Sequence, residues 1–236
     1  MKRLVIVGNG MATGRLLDEL LKRAADRFEI TVIGDEPQGS YNRIMLSPVL
    51  AGETGADAII QKPASWYAER GIRFIAGVRA EHIDRAANRV LLSSGESVSY
   101  QHLVIATGSR PARIAAKNQQ LANIHSFRTL DDVAAISDAA LTVQQAVVVG
   151  GGLLGLEAAY GLACRGVAVT LVHRSDWLLN RQLDAESGGY LRKVMLAKGV
   201  RFVLGAEVES FEPCAGSDRV NAALLTNGMR LDFSWQ

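Results

Sequence analysis

Short apolar runs alternate with stretches of helical periodicity along this chain, and glycines stand where the period changes. Arg3–Val7 is a strand-length apolar run closed by Gly8-Asn9-Gly10. Met11–Arg23 then repeats at helical spacing, with Leu16, Leu17, Leu20 and Leu21 on one face. A second apolar run, Phe28–Ile33, closes on Gly34-Asp35-Glu36. The predicted order is strand, glycine turn, helix, strand, acidic residue.

That order returns. Ala146–Val149 leads into Gly150-Gly151-Gly152-Leu153-Leu154-Gly155, a helical stretch to Arg165, and Val167–Val172. Further on, Arg70-Gly71-Ile72-Arg73-Phe74-Ile75-Ala76-Gly77 is echoed by Lys198-Gly199-Val200-Arg201-Phe202-Val203-Leu204-Gly205. Each copy continues into short alternating strands with turn residues, Ser94-Gly95-Glu96 in one and Asn227-Gly228 in the other. The expected fold class is α/β: two tandem doubly wound, Rossmann-like dinucleotide-binding units with parallel sheets and β-meander insertions.

The glycine spacing carries chemistry. In a dinucleotide site the first glycine makes the tight turn, the second lets backbone approach the pyrophosphate, and the third lets helix and strand pack closely. The helix N-terminus then turns free N–H groups toward the phosphates. Gly150, Gly152 and Gly155 meet the pattern in full, with Leu153 and Leu154 opening the helix. Gly8 and Gly10 meet the first two places, with Asn9 between them and Met11 and Ala12 following; the third place holds Thr13, beside Gly14. A β-branched residue there predicts a helix slightly farther from its strand. After the second strand of the first unit, Asp35 or Glu36 either accepts from ribose hydroxyls or is a solvated loop acid. The corresponding place in the second unit holds His173-Arg174. A basic residue there either pairs with a 2′-phosphate, pointing to NADPH, or is a surface residue at a strand end.

Composition narrows the function classes. Net charge is +2, from 26 basic and 24 acidic residues spread along the chain, so no nucleic-acid or membrane surface is expected. No apolar run approaches a bilayer span, and the run after Met1-Lys2-Arg3 is too short for a signal peptide. The two cysteines, Cys164 and Cys214, lie in unrelated contexts, which fits the cytoplasm and excludes a disulfide framework or a Cys-x-x-Cys pair. His82, His102, His125 and His173 lack metal-ligand spacing, so no metal site is expected.

Five segments are more specific still: Ile6–Ala12; Glu36-Pro37 with Tyr41-Asn42-Arg43-Ile44-Met45-Leu46-Ser47; Ile105-Ala106-Thr107-Gly108-Ser109; Gly150–Ala158; and Asn180-Arg181-Gln182-Leu183-Asp184. With them the chain resembles the FAD-dependent pyridine-nucleotide reductases. Within that family it is most similar to the N-terminal flavoprotein module of assimilatory nitrite reductase large subunits and to the electron-transfer subunit of nitrate reductase. The resemblance implies FAD in residues 1–115, a crossover over 116–143, and NAD(P)H in 144–236. It implies that Thr107 and Gly108 close over FAD, that Arg43 lies near the FAD phosphates and ribose, and that Glu157 faces the nicotinamide. Read from the residues alone, Leu103–Ala106 is a buried strand, Arg43 could form a loop salt bridge, and Glu157 could complement the helix dipole.

The implied reaction passes electrons from NAD(P)H through FAD to an iron–sulfur, siroheme or other iron-containing acceptor domain or protein, in nitrite or nitrate assimilation. Pro48 stands where ferredoxin reductases carry lysine and peroxidases or disulfide reductases carry cysteine, so no protein thiol relays the electrons. By the spacing of the first copy, the second unit's closing strand would fall beyond Gln236. The chain therefore reads as C-terminally truncated, lacking the family's remaining FAD segment and interface domain, with terminal aromatics exposed and prone to association. The alternatives are a truncated nucleotide-binding fragment without turnover and a rubredoxin or ferredoxin reductase.

Overall fold

The structure is a computed structural model and describes residues 1–233. The chain forms two compact units: Met1–Arg43 with Asp57–Arg110, and Ile44–Ala56 with the chain from Pro111 onward.

The first unit begins with β1 (Lys2–Val7), α1 (Met11–Ala24), β2 (Phe28–Ile33) and β3 (Ser40–Tyr41). The chain then contributes α2 (Leu46–Ala51) to the second unit before returning. It continues with β4 (Ile60–Lys62), α3 (Ala64–Ala68), β5 (Arg73–Ile75), a meander of β6 (Ala80–Asp84), β7 (Arg89–Leu92) and β8 (Ser97–Ser99), and β9 (His102–Ile105). The main sheet is parallel, in the order β5-β2-β1-β9. Alternation along β1 sets its two faces. Leu4 and Ile6 pack with Leu17, Tyr67 and Ile72 on the helical side, while Val5 and Val7 pack with Val90, Leu92 and Val98 of the meander.

The second unit repeats this plan. It holds α4 (Leu130–Ala140), β10 (Gln145–Val149), α5 (Leu153–Cys164), β11 (Ala168–His173), α6 (Ala185–Ala197) and β12 (Arg201–Leu204). A second meander follows: β13 (Val208–Pro213), β14 (Val220–Leu225) and β15 (Arg230–Asp232). The parallel sheet runs β10-β11-β12. Leu156, Ala159 and Leu162 of α5 meet Val169 and Leu171 on one side, and Val172 meets Phe211, Ala223 and Leu225 on the other. Each sheet thus lies between helices and a meander.

Two expectations need correction. The Leu103–Ala106 segment is not a buried strand: β9 ends the sheet order, Leu103 and Val104 are half-buried, and Ile105 is 63% exposed. The chain end does not leave Phe233 bare, because it packs half-buried against the second meander and donates its N–H to Asn221 O at 2.7 Å. Trp235, the other terminal aromatic, lies outside the described residues. Among the described residues β10 pairs only with β11, whereas β1 is flanked by both β2 and β9.

Candidate functional site

In the first unit the loop Gly8–Gly10 crosses the end of β1 and caps α1. Gly8 has φ +102°, and an added Cβ would lie 2.8 Å from Thr107 Cα, so the Ala106-Thr107-Gly108 turn closes directly on it. Gly10 is the helix N-cap, and a Cβ there would meet nothing within 4 Å. Met11 and Ala12 open α1 and are exposed. Thr13 takes the place of a third glycine: it is fully buried and donates its hydroxyl to Gly8 O at 2.7 Å. Gly14 supplies the close approach instead, since a Cβ there would come 3.0 Å from Ser40 Oγ.

Past β2 the two candidate acids part. Asp35 is 61% exposed beside Arg79, while Glu36 is 18% exposed. One Glu36 oxygen accepts from Tyr41 Oη at 2.6 Å, and the other pairs with the Arg43 guanidinium, which also lies over the Tyr41 ring. Asn9 Oδ1 accepts from Tyr67 Oη at 2.8 Å, and the buried Asn9 Nδ2 has no hydrogen-bond partner among the described residues.

In the second unit Gly150 has φ +112°, and Gly152 caps α5 with open space around its Cβ position. At Gly155 an added methyl would lie 3.0 Å from the Gly150 carbonyl carbon and closer still to its oxygen, so this glycine serves helix–loop packing. Leu153 and Leu154 are 61% and 50% exposed on the opening turn. His173, the last residue of β11, and Arg174 after it differ in burial. His173 is only 8% exposed, with its ring beneath Gly151, whose Cβ would fall 2.7 Å from His173 Cγ. Its Nε2 lies 3.2 Å from Asn180 Oδ1, and burial lowers its pKa below the ordinary value. Arg174 is 61% exposed, with Glu207 3.9 Å away.

Glu157, half-buried one turn into α5, accepts from Ser47 Oγ of α2 at 2.6 Å. The same helix pair is fastened at its other end. Arg165 donates to the carbonyls of Leu50 and Val49, and Gly161 makes room for Leu50. Ser47, Arg165, Ser40 and Tyr67 were not singled out from sequence as site residues. Their partners lie far away in the chain, and only the threonine in a glycine's place gave a local signal.

These features fit bound dinucleotides. Both loops place a positive-φ glycine at a strand end and an open helix N-terminus beside it, the geometry that admits a diphosphate to backbone N–H groups. Among the described residues no group of three His, Cys, Asp or Glu could hold a metal ion, and no helix is long and apolar enough to cross a membrane.

Comparison with known proteins agrees. The chain is 37% identical over 220 residues to the assimilatory nitrate reductase electron transfer subunit of Bacillus subtilis, covering 93% of this chain and 28% of that protein. It is 36% identical over 231 residues to the NAD(P)H nitrite reductase of the same organism, covering 98% and 28%. Among solved structures it matches putidaredoxin reductase, crystallised in covalent complex with putidaredoxin, at a TM-score of 0.88 and 29% identity, over 99% of this chain and 57% of that one. A ferredoxin reductase from Rhodopseudomonas palustris matches at a TM-score of 0.89 and 27% identity, over 100% and 57%. The chain therefore spans about a quarter of the length of these curated relatives. The profile of the pyridine nucleotide-disulphide oxidoreductases matches residues 2–234. With the two glycine loops, the paired sheets and this match over nearly its whole length, the chain belongs to the pyridine nucleotide-disulphide oxidoreductase family.

Proposed function

We propose that this chain is the nucleotide-binding module of an FAD-dependent NAD(P)H oxidoreductase that serves nitrite or nitrate assimilation. FAD occupies the first unit and NAD(P)H the second. The observation that carries the reading is the paired glycine loop, each with an unobstructed helix N-terminus. Bound there, FAD would supply hydride acceptance from the reduced nicotinamide and onward transfer of the electrons.

The chain's own residues bind and orient. Gly8, Gly10, Met11 and Ala12 offer backbone to the FAD diphosphate, and Thr107-Gly108 closes that site against Gly8. Glu36, steadied by Tyr41 and Arg43, accepts from the ribose hydroxyls. In the second unit Gly150, Gly152, Leu153 and Leu154 receive the other diphosphate. His173 supports Gly151 from below, leaving Arg174 turned outward toward a 2′-phosphate, which favours NADPH. Glu157, oriented by Ser47, faces the nicotinamide.

The names of the relatives, an electron transfer subunit, a nitrite reductase and ferredoxin reductases, support an iron-containing acceptor. In this reading the acceptor is an iron–sulfur, siroheme or other iron-containing domain or protein, and the module works in the cytoplasm, where copies of it can associate. Incubation of the purified chain with FAD, gel filtration and an absorbance spectrum test the first step, and NAD(P)H oxidation with ferricyanide tests turnover. A protein that stays colourless sinks the reading. A second reading, nucleotide binding without turnover, draws on β10 pairing with β11 alone among the described residues. Steady ferricyanide reduction refutes it.

A further inference from the structure

Three successive residues of the first loop are each held by a hydroxyl from a different element. Gly8 O accepts from Thr13 Oγ1 of α1 at 2.7 Å, Asn9 Oδ1 from Tyr67 Oη of α3 at 2.8 Å, and Gly10 O from Ser40 Oγ of β3 at 3.4 Å beside the Gly14 N–H of α1 at 3.0 Å. Thr13, Ser40 and Tyr67 are all fully buried.

The direction of each bond is set by chemistry. Tyr67 Oη accepts the main-chain N–H of Ser40 at 3.3 Å and donates its own proton to Asn9 Oδ1. Stacking on Phe74, with ring centroids 4.5 Å apart, fixes the phenol in place, and burial raises its pKa above the ordinary value, so the proton stays on. The second loop is secured by other means: Leu179 N–H donates to Gly151 O at 2.9 Å, and the His173 ring fills the space below.

An oxygen turned outward from such a loop would face phosphate oxygens, acceptor against acceptor. We propose that Thr13, Ser40 and Tyr67 are positioning residues that hold the first loop's oxygens into the protein before a dinucleotide arrives, so that the loop meets the diphosphate with N–H groups alone. This rests on the reading that the first unit takes FAD. It assigns a purpose to the threonine that replaces the third glycine.

The test uses Thr13→Val, Ser40→Ala and Tyr67→Phe in the full chain, with Thr13→Ser as the conservative control. FAD affinity is read by quenching of flavin fluorescence, and NADPH affinity of the second unit is read on the same samples by nucleotide fluorescence. Loss of the Thr13 or Tyr67 hydrogen bond should weaken FAD about three- to tenfold, and loss of the Ser40 bond less, because Gly10 O keeps the Gly14 N–H; NADPH should be unchanged and Thr13→Ser close to wild type. Unchanged FAD affinity in Thr13→Val and Tyr67→Phe overturns the proposal. So does parallel weakening of both nucleotides, which marks a general structural role. A wild-type chain that takes up no FAD removes the underlying reading, and the clamp falls with it.

Discussion

Replacing Gly155 by alanine should damage chiefly the fold, whereas replacing Gly152 should damage chiefly nucleotide binding. At Gly155 the new methyl would stand 3.0 Å from the Gly150 carbonyl carbon and nearer to its oxygen. Carbon atoms in contact settle at about 3.5–4.0 Å, so the carbonyl carbon alone asks loop or helix to give by roughly 0.5–1 Å, and the nearer oxygen asks for more. Strain of that kind costs about 1–3 kcal/mol. For a chain of this size each kcal/mol lowers Tm by about 2–4 °C, so Gly155→Ala should melt roughly 2–12 °C below wild type. At Gly152 the backbone is extended, with φ −83° and ψ 179°, and the methyl meets no protein atom within 4 Å. Its stability loss should stay near 1 kcal/mol, the size of a weakened N-cap. On the proposed reading the methyl enters the space through which the diphosphate reaches the backbone, so NADPH affinity should fall at least about tenfold, or ~1.4 kcal/mol. Differential scanning fluorimetry and NADPH titration of both variants decide the matter. A Gly155→Ala protein that melts with wild type, or a Gly152→Ala protein that binds NADPH normally, would refute the division of labour between the two glycines.

Other consequences can be checked with simpler means. Arg174→Ala should reduce the preference for NADPH over NADH about tenfold, the scale of one lost charge-assisted contact, measured as the ratio of kcat/KM with ferricyanide; an unchanged ratio removes Arg174 from the 2′-phosphate. Ser47→Ala frees the Glu157 carboxylate from its 2.6 Å partner, so NADPH oxidation should slow several-fold while affinity for ADP-ribose, which lacks the nicotinamide, stays level. Equal effects on both would place the pair outside the nicotinamide's reach. His173 has a folded pKa depressed chiefly by burial, so the unfolded chain binds the proton more readily. Its contribution to stability is complete above about pH 6.5 and is lost as pH falls from there toward the folded value. Urea melts between pH 5 and pH 8 should show that loss, and His173→Asn should flatten it.

The parts legible in the sequence are those whose cause is local. Leu4, Ile6, Leu17 and Ile30 announce their shared side of a sheet by period alone, and Gly150, Gly152 and Gly155 announce a turn and a helix start by spacing. The parts that stayed hidden depend on partners distant along the chain. Nothing near Tyr67 says that its hydroxyl meets Asn9, and nothing near Ser47 says that it meets Glu157. The pair at the end of β11 was also ambiguous, because His173 and Arg174 differ in burial, which neighbouring residues do not encode. Phe233 shows the same limit: beside the chain end it reads as exposed, yet a meander supplies it with a surface.

The excursion of residues 44–56 bears on how this protein can be dissected. The backbone passes from one compact unit to the other after Arg43, again after Ala56 and again after Arg110. A gene cut after Arg110 would leave the first product carrying α2 without α5, so that Leu50, fully buried against Gly161, would be stripped of its seat. The second product would keep Arg165 without the carbonyls it caps. Neither half-gene is therefore a self-sufficient part. A working second unit needs residues 44–56 grafted back by a new linker or supplied as a peptide, and the regained fold would report the strength of that seat directly.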